Sequence, residues 1–180
     1  LILGNENKVL TDFYSMLSHT GACHEGFEHN IKPWGNRHYL IPIRILFLKM
    51  DFLNFPPHGW FAVCYNLLLR NMLIREEDDY LHLLSVLSPQ WINGPIIISN
   101  ANTYFGLCDF EFEKSEGYFS FHFRSNFNRR EPSKIIIHVP YFAEIETFKC
   151  KSDQDFTWKK ETRCIELKNL KEFTLKINWE

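Results

Sequence analysis

No stretch of this sequence is both long and apolar enough to span a membrane. The most apolar run, residues 36–55 (NRHYLIPIRILFLKMDFLNF), is broken by Pro42, Arg44, Lys49 and Asp51, whereas a span needs about 20 largely uncharged residues. Charge of one sign is also lacking. The formal net charge is -2, and the two arginines of FNRREP (127–132) are too few for a basic patch, so no nucleic-acid partner is expected. There is no N-x-[ST] sequon, and nothing points to glycosylation. The chain opens LILGNENKVL, with neither an initiator Met nor a signal-peptide pattern, which is expected of a processed chain or a fragment of a longer one. Cysteine is sparse and odd in number: Cys23, Cys64, Cys108, Cys150 and Cys164 are irregularly spaced, which argues against a full disulfide framework. Cys64 reads as a small core hydrophobe, and Cys150 and Cys164 could meet across a hairpin. What the sequence has in abundance is aromatic residues, 16% of the chain with 17 Phe. That suits a β-rich core, and it equally suits a sugar-binding surface.

Residues 6–18 (ENKVLTDFYSMLS) place Val9, Leu10, Phe13, Met16 and Leu17 at helical spacing and predict an amphipathic helix. Residues 19–35 are rich in Gly, His and Glu and read as a loop. The apolar stretch 36–55 reads as a buried helix or strand, or as an exposed apolar insertion. A helix over 59–73 follows, apolar on nearly every face, and such a helix requires cover on nearly every face; Trp60 is placed in the core. REEDD (75–79) reads as a solvated turn and YLHLLSVL (80–87) as the return strand. From residue 88 the period changes to two. Cys108, Phe110 and Phe112 share one face, and Phe119, Phe121 and Phe123 share another, with a turn at Ser115 to Gly117. KIIIHVP, FAEIETFKC, TRCIEL and EFTLKINWE read as further strands. The fold class expected is α+β: an N-terminal helical segment, residues 1–75, then an antiparallel β-sandwich over 76–180.

Several ordered elements resemble the tail of six-hairpin, (α/α)6-barrel glycoside hydrolases. They are His58-Gly59-Trp60, Arg70-Asn71, Arg75-Glu76-Glu77, Pro89-Gln90-Trp91 and the run Ala101 to Gly106 (ANTYFG). VLTDFYSMLSHT is similar to the preceding barrel helix and its exit. The resemblance covers most of residues 8–140. It implies that 1–75 are the last helices of such a barrel and that the barrel's C-terminal β-sandwich follows directly. Most of the barrel has no counterpart here. Between Gly35 and His58 the family has a short Gly-rich loop, where this chain has about twenty mostly apolar residues. These are a true insertion, or wrongly decoded or unspliced sequence.

Glycoside cleavage uses two carboxyl groups, one protonating the leaving oxygen and the other activating water or attacking directly. In the family, a Trp-Pro-Glu-Ala-Ile-His-Pro-like motif precedes His-Gly-Trp. FEHNIKPW (27–34) is similar, with one extra residue, and sets Glu28 against the family Glu, Ile31 against the Ile and Pro33 against the Pro. The resemblance therefore makes Glu28 the general-base candidate, with Glu25 a rival, and has His29 or Trp34 line the sugar pocket. The competing reading of Glu28 is a solvated loop carboxylate. His58 either faces the pocket or is held by backbone groups beside the helix N-terminus. The partner acid is expected upstream. His19, Cys23, His24 and His29 match no standard zinc spacing, and neither a metal nor another cofactor is expected.

These features imply the C-terminal portion of a glycoside-hydrolase-like protein acting on carbohydrate and inactive alone. The alternative is a non-catalytic β-sandwich module that binds carbohydrate or a protein partner through an exposed aromatic strip. A truncated barrel would also leave the 59–73 helix bare, with self-association or a companion polypeptide on that helical face.

Overall fold

The structure, a computed structural model, describes residues 5–18, 20, 59–143, 150–152, 155–168 and 171–178. The chain divides into two units, residues 7–69 and residues 70–180, the first six residues grouping with the latter.

The helical unit contains α1 (Glu6–Ser18) and most of α2 (Gly59–Leu73). Leu10 and Phe13, about one turn apart, form the buried side of α1. The Phe13 ring stacks on Tyr65 of α2 with centroids 5.0 Å apart. Both helices have the bounds their sequence pattern predicts. The cover expected around α2 differs. Among its residues only Met72 is buried, while Val63, Cys64 and Leu67 are exposed and Trp60, expected in the core, is 81% exposed. An all-round apolar pattern states which faces would gain from burial. Whether they obtain it depends on the segments packed against them, and among the described residues only the C-terminal end of α2 is enclosed.

Residues 70–180 form a sandwich of two five-stranded sheets. One has the order β1 (Ile74–Glu77), β2 (Tyr80–Leu83), β6 (Lys134–His138), β9 (Cys164–Leu167), β8 (Phe156–Lys159). The other runs β3 (Ile96–Asn102), β4 (Leu107–Ser115), β5 (Tyr118–Asn126), β10 (Glu172–Asn178), β7 (Cys150–Ser152). The fold class is α+β as expected, with helices first and the sandwich behind. One pairing departs from the antiparallel rule: β2 and β6 run parallel, Leu81 opposite Ile135 and Leu83 opposite Ile137.

Alternation builds the core. Phe110 and Phe112 of β4, Phe119, Phe121 and Phe123 of β5, and Phe173, Leu175 and Ile177 of β10 all point inward and are buried. The register sets Phe110 opposite Phe123 and Phe123 opposite Phe173, and the rings of the latter pair stack at 5.0 Å. Leu81, Leu83, Ile135, Ile137, Ile165 and Leu167 meet them from the other sheet. Each such side chain contributes about 1.5–3 kcal/mol by leaving water.

The helix runs into β1 with no intervening residue. A helix C-terminus leaves its last carbonyls without intrahelical partners. Here the Leu84 N–H donates to the Leu73 carbonyl at 2.8 Å and the Val86 N–H to the Met72 carbonyl at 3.0 Å. To deliver these bonds the chain bends after β2, with Leu84 at φ 56°, a conformation that costs a bulky residue about 1–3 kcal/mol. Full burial of the Leu84 side chain offsets that cost. The bend also ends β2 at Leu83, four residues short of the strand expected over 80–87. REEDD is likewise not one solvated turn. Arg75 to Glu77 are strand, paired with β2, and only Asp78 and Asp79 turn. Cys164 is a free thiol in one sheet, while Cys150 belongs to the other, so the two do not bridge. Most of FAEIETFKC, residues 144–149, lies outside the described residues.

Candidate functional site

Glu28, His29, Trp34 and His58 all lie outside the described residues, as do Glu25, His19, Cys23, His24 and the 36–55 insert. Two other constellations are described, both within the sandwich unit.

The first joins α2 to the sandwich's loop end. Arg70, in the last turn of α2, forks onto Glu76 of β1 with Nη1–Oε2 at 2.8 Å and Nη2–Oε1 at 2.6 Å. The same guanidinium donates to the Ile74 carbonyl at 3.2 Å and to the Asn102 carbonyl at 3.1 Å. Glu76 also accepts the Tyr104 N–H at 2.9 Å. Burial alone would raise the Glu76 pKa, but hydrogen bonds from Arg70 and Tyr104, with the Arg70 charge, outweigh it and hold the carboxyl below its ordinary value. The turn beside it is locked by Thr103, whose Oγ1 donates to the Gly106 carbonyl at 2.6 Å and accepts the Phe105 and Gly106 N–H groups at 3.2 Å. Arg130 lies over the Tyr104 ring, 4.4 Å from its centroid. Around these residues opens a pocket of about 610 Å³, bordered by Asp78, Asn102, Tyr104, Arg129 and Arg130.

The second constellation is a buried chain of side chains. The Nδ1 of His82 lies 3.0 Å from Nε2 of His138, and Nδ1 of His138 lies 3.3 Å from the Cys164 sulfur. Arg75 Nη2 approaches His82 Nδ1 at 3.2 Å. Arginine can only donate, so His82 Nδ1 accepts and His138 donates from Nε2. The one thiol proton then serves His138 Nδ1 or the Thr162 carbonyl, 3.0 Å from the sulfur. His82 Nε2 is left carrying its proton 3.5 Å from Glu77 Oε2, too long for a good hydrogen bond. Burial, then the Arg75 charge, depress the His82 pKa to about 4. Burial, then His82 and Arg75, depress that of His138 to about 3. Burial raises the Cys164 thiol above its ordinary value. A neutral thiol beside a neutral, enclosed imidazole is a poor nucleophile pair, since reactivity needs the thiolate. The atoms bond in series rather than converging, and among the described residues no group of His, Cys, Asp and Glu is arranged to hold a metal ion. Neither histidine stood out by motif. Their one signal was a polar ring inside the apolar strands YLHLL and KIIIHV.

On the outward face of β4, β5 and β10, Tyr118 is the one Phe, Tyr or Trp among the described residues, with Lys176 over its ring. The outward positions of β4, β5 and β10 include Glu111, Glu113, His122, Arg124, Glu172 and Lys176. No helix among the described residues is long and apolar enough to cross a membrane. Compared with family models, curated proteins and solved structures, the chain matches none.

Proposed function

We propose that this chain is the C-terminal portion of a glycoside-hydrolase-like protein, that the complete protein hydrolyses glycosidic bonds, and that these residues alone do not. The observation that carries this is the convergence at Arg70. The elements by which the sequence resembles six-hairpin glycosidases, Arg-Asn at 70–71, Arg-Glu-Glu at 75–77 and Ala-x-Thr-x-Phe-Gly at 101–106, are scattered over 37 residues of sequence. Yet Arg70, Glu76, Asn102 and Tyr104 meet in one hydrogen-bonded clamp. Their spacing is what a device tying a helix end to a sandwich requires, which supports treating them as one pattern rather than as chance matches. In this reading Glu28 is the general base, His29, Trp34 and His58 border the sugar, and an acid outside this chain protonates the leaving oxygen.

The test is a panel of aryl glycosides incubated with the 180-residue chain. No turnover is expected, because general acid and base act as a pair. Turnover abolished by Glu28→Gln would make the chain catalytically complete and overturn its incompleteness. Turnover that survives the substitution would remove Glu28 from the chemistry.

A further inference from the structure

We propose that the pocket at the loop end of the sandwich is a binding subsite for a neutral saccharide, stacked on Tyr104 and hydrogen-bonded by Asp78, Asn102 and Arg129. The inference rests on the carbohydrate reading above and concerns the described residues 70–180 alone. Three connections build the pocket: the β1–β2 turn brings Asp78, the β3–β4 turn brings Asn102 and Tyr104, and the β5–β6 loop brings Arg129 and Arg130. Loops at one end of a rigid sandwich are a common place for recognition. The volume of about 610 Å³ falls among small-molecule sites, which run roughly 300–1,000 Å³.

Tyr104 is 60% exposed, with its main chain held and its ring flanked. Its N–H is bonded to Glu76, Arg130 lies over its ring, and Phe105 meets it edge-on at 6.0 Å. A Tyr side chain has only two torsions to lose when a ligand stacks on it, and the C–H face of a sugar suits an aromatic surface.

Charge selects the ligand class. Arg70 is matched by Glu76 and Arg130 by Asp79 at 3.1 Å. Left over are Arg129, whose guanidinium reaches the Thr103 carbonyl only at 3.4 Å, and Asp78, which has no ion pair among the described residues. One cation and one anion nearly cancel. A phosphate or sulfate would meet a carboxylate beside its guanidinium. A sugar hydroxyl both donates and accepts, so it uses Asp78, Arg129 and the Asn102 amide together.

The experiment is an NMR titration of the 15N-labelled chain with maltotriose, cellotriose and xylotriose, and separately with inorganic phosphate. At least one trisaccharide is expected to bind with a millimolar Kd and to shift the amides of residues 78, 102–104 and 129–130. Tyr104→Ala, which keeps the backbone N–H used by Glu76, is expected to weaken binding about tenfold. Asp78→Asn is expected to weaken it about threefold without backbone strain, since Asn tolerates the positive φ that Asp78 occupies. No shifts with any trisaccharide up to about 50 mM, a range reaching well past millimolar affinity, overturn the inference. So do shifts that survive Tyr104→Ala in a variant with an unchanged amide spectrum elsewhere, or saturation of the same amides by phosphate. Glycoside turnover by the complete protein without binding here removes the subsite and leaves the proposed function. Binding here in a protein that cleaves no glycoside does the reverse.

Discussion

His82 and His138 show how two buried residues tie stability to pH. Their folded pKa values, about 4 and about 3, lie below the ordinary histidine value, so the unfolded chain binds protons more readily than the folded one. Stability from this pair is therefore fully present above about pH 6.5 and is lost as pH falls from there through the folded values. Arg75 opposes protonation, and Glu77, 3.5 Å from His82, favours it only weakly against burial. His138→Leu removes the more depressed titration. Its urea midpoint is expected to fall less between pH 6.5 and pH 4 than that of the parent chain, with the two compared as differences rather than absolutes. Identical acid sensitivity in both proteins would place the acid-labile group elsewhere. At the same scale Arg70 and Glu76 illustrate the opposite case, a carboxylate kept ionised by two bonds from the guanidinium and one from the Tyr104 N–H.

Among the elements, the β3–β4 turn is the most exacting. Gly106 has φ 137°, and a Cβ built on it would stand 2.6 Å from the Asn126 carbonyl oxygen and 2.8 Å from the Asn128 nitrogen. Both obstacles are backbone, so neither can swing aside. Gly106→Ala is expected to destabilise by more than about 2 kcal/mol, by strain and clash together, measured as a loss of urea midpoint at constant slope. Gly117, also at positive φ, meets nothing within 4 Å, and Gly117→Ala is expected to cost less, about 1 kcal/mol, from backbone conformation alone. Equal costs at the two glycines would show that close packing of the β3–β4 turn against the end of β5 and the residues after it is not what makes Gly106 necessary. The strands themselves were readable from alternation: β4, β5, β6, β9 and β10 fall where period two placed them. β1 and β8 were not, because Ile-Arg-Glu-Glu and Phe-Thr-Trp-Lys carry too few apolar residues for a period to declare itself. Their strand state comes from the neighbours they pair with.

For the whole molecule, the sandwich core is drawn from residues 73 onward, and the groups that finish α2 are bonded within residues 70–180. Residues 70–180 produced alone are accordingly expected to unfold in one cooperative transition with a β-sheet circular dichroism spectrum. Absence of such a transition would mean that the helical unit is needed to hold the sandwich together.

The sequence by itself determined the class of the molecule. A helical period followed by a period of two, with Phe at every second position, admits little else than helices followed by a layered β structure, because side-chain direction along helix and strand is local geometry. Its resemblance to six-hairpin glycosidases was what drew Arg70, Glu76 and the 101–106 run together as an expectation. Tertiary structure decided what those residues do. The Arg70 bond to the Asn102 carbonyl, the parallel pairing of β2 with β6 and the line from His82 through His138 to Cys164 join residues distant along the chain, and the positive φ of Leu84 serves bonds back to the end of α2. Such partners leave no trace in local periodicity, since the energy of a hydrogen bond depends on where two groups finally meet and not on how far apart they lie in sequence.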